Sequence, residues 1–177
     1  MEYQIKSKSR LITMASEYAI LAKLGGFVGS NPEIISSYPP YSAVGNQSEI
    51  LNTCFPIGAK AGKFFEDRFR KYLVLSYIFK VKHNQQRDDL FSFSILLHKR
   101  DKVEIYKLIL IEFITILENQ GLLSENILTD YHQKIYDGIN TETDIYIEHL
   151  LVDFSRMFQE AKSKILKQKP DLKGSFF

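Results

Sequence analysis

The chain has no tryptophan, one cysteine and five prolines among 177 residues, and each scarcity removes a class of answer. A lone cysteine, Cys54, forbids an intramolecular disulfide, so stability has to come from a packed interior. Its neighbours Leu51 and Phe55 are apolar, which reads as a buried, inert thiol rather than a nucleophile and fits a reducing compartment, the cytoplasm. Long apolar runs are missing too. Runs such as Leu108–Ile111 fall far short of the roughly 20 residues that cross a bilayer, and the polar opening MEYQIKSKSR is unlike a signal peptide. Charge of one sign is also scarce: 23 Lys and Arg stand against 21 Asp and Glu. That excess is too small to form an electrostatic footprint for nucleic acid or an acidic membrane.

What remains is an ordinary globular composition, 45% hydrophobic and 25% charged, in a length suited to one compact domain. The reading is an N-terminal arm over 1–16, a single domain over 17–168 and a loose tail over 169–177. Within Glu17–Phe27 an apolar run ended by Gly25 and Gly26 predicts a strand, and Ile34 and Ile35, stopped by Pro39 and Pro40, predict a second paired to it as a hairpin. Asn46 or Ser48 offers a cap for a short helix that Pro56 and Gly58 truncate. Tyr72–Val81 alternates with apolar residues on both faces, which predicts a central strand covered on both sides. A polar turn leads to Leu90–Leu97, its hairpin partner, and the charges of Glu66, Asp67 and Arg68 make Phe64–Phe69 an edge strand.

Asp101 is a candidate cap for a helix running to Asn119, whose apolar stripe includes Val103, Tyr106, Leu110, Phe113, Ile114 and Leu117, and Gly121 ends it. Ser124–Tyr136 predicts a short helix. Asp144–Lys167 reads as one long helix with Ile147, Leu150, Leu151, Phe154, Phe158, Ala161 and Ile165 on its buried face. Strands followed by helices, without strand–helix–strand alternation, predict an antiparallel sheet with attached helices.

No catalytic, cofactor-binding or metal-ligating residue is assigned. Gly58–Lys63, GAKAGK, has three residues between its glycines where a phosphate loop needs four, and Phe64 stands where Ser or Thr belongs; a basic turn is the better reading. His83, His98, His132 and His149 lack the close spacing of a zinc site. Glu66–Asp67 and Asp88–Asp89 are adjacent in sequence, so their side chains diverge and read as solvated charge. Lys162, Lys164, Lys167, Lys169 and Lys173 make a basic C-terminal stretch. It reads chiefly as the solvated end of a helix, complementing its dipole, and secondarily as a contact for phosphate or an acidic surface.

Several short motifs, IISSYPP, then Cys-Phe-Pro at 54–56, then YLVLSYIFKV and FSFSILLHKRDKVEIYKLILIEF, together resemble the longin-like N-terminal module of DENN-type proteins over about residues 17–120. The resemblance implies an α/β (α+β) fold, a longin-like five-stranded antiparallel sheet sandwiched by helices, here with a long C-terminal helix. It implies vesicle trafficking and a non-catalytic role as a dimerising platform or docking surface for a small GTPase or another longin-type subunit, with peripheral membrane association through that partner. Tyr38, Tyr41, Ile50 and Leu51 are the candidate interface, exposed if the link between hairpin and sheet is thin; packing into the core is their alternative. A small-ligand sensor with a pocket between the sheet and the 101–119 helix is the rival reading, and an enzyme with a scattered site a third.

Overall fold

A computed structural model describes residues 16–40, 47–83 and 87–167. Five strands, β1 (Ser16–Leu24), β2 (Glu33–Tyr38), β3 (Phe64–Phe69), β4 (Tyr72–Val81) and β5 (Asp89–Leu97), form one antiparallel sheet in the order β2-β1-β5-β4-β3. The helices are α1 (Gln47–Cys54), α2 (Val103–Asn119), α3 (Glu125–Asp130), α4 (His132–Thr141) and α5 (Phe154–Lys167). A small hairpin, β6 (Ile145–Ile147) and β7 (Leu150–Val152), precedes α5. This is the α+β architecture expected, and both hairpins and the edge position of β3 are as predicted. The arm and tail lie outside the described residues, except that Ser16 opens β1.

Strand alternation divides the sheet into two unequal faces. On one, Leu75 lies opposite Ile95, Tyr77 opposite Phe93 and Phe79 opposite Phe91. This face packs on Ile109, Leu110, Phe113 and Leu117 of α2, with α3, α4 and α5 completing the layer. On the other face Ile20, Phe69, Val74 and Leu96 bury Ile50 and Cys54 of α1 in a smaller cluster. Between these apolar positions lies a row of buried serines. Ser76 and Ser94 hydroxyls are 2.7 Å apart, and Ser92 Oγ donates to the Cys54 carbonyl at 2.5 Å. A carbonyl at the end of a helix has no intrahelical partner, so these hydroxyls satisfy one that burial would otherwise strand. They also fix where α1 sits.

The sheet's margins are defended differently. In β2 an extra residue, Ile35, interrupts the register, since Leu21 faces Ser36 while Ala22 faces Ile34. In β3 the exposed residues are Glu66, Asp67 and Arg68. Bulges and charges are the features that discourage an edge from accepting a further strand.

Three helix readings differ from the structure: Ser124–Tyr136 is not one short helix but two, α3 and α4, the second running on to Thr141, and two helix starts are displaced. Asp101 does not cap α2: its carboxylate accepts from the His98 N–H at 2.8 Å, closing the loop that precedes the helix, and Lys102 holds the cap position without a side-chain bond. Residues 145–152 are the β6–β7 hairpin rather than the start of a long helix. Ile145, Ile147 and Val152 are β-branched, and Glu148 turns the chain with φ 52°. The helix begins only where Asp153 Oδ1 accepts from Arg156 N–H at 2.9 Å. Gly121, with φ 68°, follows α2 as expected, and its N–H reaches Glu118 O.

Candidate functional site

Antiparallel pairing carries the β1–β2 loop and the β4–β5 turn to the same end of the sheet, because Leu24 lies opposite Leu90 and Val81 opposite Asp89. Asp89 is 8% exposed and is the anchor of this end. Its Oδ1 accepts from the Gly26 N–H at 2.7 Å, its Oδ2 lies 2.8 Å from His83 Nε2, and Lys23 Nζ stands 3.3 Å from Oδ2. Lys23 also donates to Glu125 Oε2 at 2.7 Å, which ties α3 into the cluster. Burial alone would push the Asp89 carboxyl upward, but bonds from His83, Gly26 and Lys23 outweigh it and hold it below the ordinary value. The bond to Glu125 is the chief cause raising Lys23. Asp89 is therefore not the solvated charge expected of the Asp88–Asp89 pair. The side chains do diverge, with Asp88 4.0 Å from Lys80, but the register turns Asp89 inward.

This anchor shapes a loop. Gly26 comes so close to the β4–β5 turn that a Cβ there would stand 2.7 Å from the Arg87 and Asp88 carbonyl oxygens. Ser30 Oγ donates to Gly25 O at 2.6 Å, and Ser30 N–H donates to Phe27 O at 3.3 Å. Between these bonds the chain projects Phe27 and Val28, 71% and 93% exposed. With Gly26, Arg87 and Asp89 they line a hollow of 370 Å³. Ile57, in the loop leading to β3, is also fully exposed, and Gly62 and Lys63 there hydrogen-bond to Ile78. The GAKAGK segment is thus a turn joined to the sheet.

The candidate interface is not brought together. Ile50 is 0% exposed in the α1 cluster, so it belongs to the core, the alternative weighed for it, because α1 presses it against Ile20 and Leu96. Tyr38 is half-buried and packs edge-on against Tyr136, with ring centroids 5.1 Å apart. Leu51 is half-buried on α1, and Tyr41 lies outside the described residues. The exposed apolar residues that sequence reasoning passed over, Phe27 and Val28, carried one usable signal: an apolar pair bracketed by Gly25, Gly26 and Gly29.

Two further groups have chemistry of their own. Cys54 is buried, and desolvation pushes its thiol up to about 12, so it is the inert cysteine expected. His132, at the start of α4, is 2% exposed beneath Phe93, with Nδ1 2.5 Å from Ser36 Oγ. Its Nε2 has no hydrogen-bond partner among the described residues, and burial pulls its pKa down to about 4. Among the described residues no cluster of three His, Cys, Asp or Glu is placed to hold a metal ion. No described helix is long and apolar enough to cross a membrane. No family model and no curated protein matches this chain.

Proposed function

We propose that this chain is a non-catalytic protein-interaction module of the longin-like type, cytoplasmic, which self-associates or docks a small GTPase through its β1–β2 loop. The observation that carries the proposal is the Phe27–Val28 tip, held out by hydrogen bonds on both sides and set beside a hollow with charged Arg87 and Asp89 at its wall. Exposed large apolar residues on a loop fixed in advance lose little conformational freedom on binding, which is what an efficient contact requires. The charged cluster behind them is paired internally, so its evident work is to hold the loop. The five-stranded antiparallel sheet between helices is the fold that the DENN-type resemblance implies, and a dimer or GTPase contact is the role it suggests. Phe91, Phe93, Leu110, Phe113 and Leu117 fill the space between the sheet and α2 where the ligand-sensor reading needs a pocket.

Light scattering at several concentrations, alone and with nucleotide-loaded small GTPases, tests this directly. A concentration-dependent dimer or a mass shifted by a GTPase supports it, and replacing Phe27 and Val28 by serine abolishes that association without lowering the melting temperature. A strict monomer that ignores every GTPase removes the reading.

A further inference from the structure

The near-zero net charge conceals a segregation. At the end of the sheet opposite the Phe27 loop, Arg68 near the end of β3 is followed by Arg70 and Lys71 in the β3–β4 turn, and the loop between β5 and α2 carries Lys99, Arg100 and Lys102. Register makes them neighbours: Leu73, two residues after the turn, lies opposite Leu97, two residues before Lys99. Arg68, Arg70, Tyr72, Leu73 and Lys99 line one hollow of 210 Å³. All six cations are exposed, and none forms an ion pair with a described residue.

Nearby carboxylates are largely engaged elsewhere. Asp101 accepts from the His98 N–H, Glu66 and Glu104 both face Lys107, and Glu17, 3.6 Å from the His98 ring, also acts on Lys71. Asp67 is exposed and accepts from the backbone of Arg68. The last turns of α5 extend the surface. Lys102 and Ile105 meet Ile165, Leu166 and Lys162, the last paired with Glu142, around a second hollow of 290 Å³, and Lys164 and Lys167 line a separate hollow on α5. Leu166 is 57% exposed among these cations.

We propose that this basic end of the sheet is a docking face for an anionic lipid bilayer. The cations come from three separate segments and line more than one hollow, so they fit an extended field of phosphates better than a single anion. An exposed leucine among lysines suits a bilayer, whose headgroups take the charge while the boundary beneath takes the apolar side chain. The proposal does not depend on the function assigned to the Phe27 loop. The nine residues of β1 hold the two ends roughly 30 Å apart, so lipid and protein can be bound at once.

The test is flotation of the full chain with vesicles of phosphatidylcholine alone and with about a third phosphatidylserine, at ~0.1 and ~0.5 M salt. The expected result is binding to the anionic vesicles only, weakened by salt. Replacing Arg70, Lys99, Arg100 and Lys102 by alanine costs roughly fivefold per charge, on the order of several hundredfold together. The charge-conserving exchange of Lys and Arg at the same four positions keeps binding, and Leu166→Ser weakens it while leaving the salt dependence. No partition onto anionic vesicles overturns the proposal, as does undiminished binding by the folded alanine variant. Capture of soluble polyglutamate without vesicle binding overturns it in favour of an acidic protein ligand.

Discussion

Acidification acts on this fold through His132. In the folded chain its imidazole is confined under Phe93 and bonded at Nδ1 to Ser36, and burial lowers its pKa from the ordinary 6.5 to about 4. The unfolded chain takes up a proton below pH 6.5 that the folded chain refuses until about pH 4, so acid favours unfolding across that window. The contribution is complete above pH 6.5 and is lost as pH falls toward 4. The gap is worth about 3 kcal/mol in full, of which about 2 kcal/mol has gone by about pH 5. Against a total stability of about 5–15 kcal/mol this is a large share. Urea unfolding at a series of pH values reads it, as a fall in midpoint of about 1 M for a slope near 2 kcal/mol per molar. His132→Leu and His132→Gln remove the titrating group and flatten the curve between about pH 6.5 and 4.5, whatever they do to stability at neutral pH. Asp89 is distinguished by its window, because its carboxyl is already held below the ordinary 3.8 and its contribution is lost only in stronger acid. An equal slope in wild type and both variants would refute the argument.

Ile50→Ser removes a fully buried side chain and costs about 2–5 kcal/mol in chemical denaturation, whereas an interface residue would leave stability nearly unchanged. Cys54 stays unmodified by a thiol reagent at neutral pH in the native protein and reacts at once in denaturant; rapid native labelling would contradict its burial and raised pKa.

The strands were legible because their two-residue periodicity is strong and both faces of β4 are apolar, so its interior position followed without any knowledge of its neighbours. The β6–β7 hairpin was not. Ile147, Leu150, Leu151 and Phe154 sit at spacings a helix also permits, and only Glu148 in a left-handed conformation separates the two readings. Ser92 and Ser94 look solvent-facing in sequence, yet they are buried because the end of α1 needs donors there. Asp89 and His132 were missed for a common reason: each is defined by partners distant along the chain, Lys23 and Gly26 for one, Ser36 and Phe93 for the other. The Phe27 tip lay within a run assigned to a strand, and only the turn geometry reveals its exposure.

The bulge at Ile35 and the charged row Glu66, Asp67, Arg68 stand at opposite margins of the sheet. Together they make the ladder a closed count of five. Neither margin of the described sheet offers a ready template for stacking strand upon strand. The exposed Phe27, Val28 and Ile57 lie in loops rather than on either margin strand, so the surface that is apolar and the edges that could pair are kept separate.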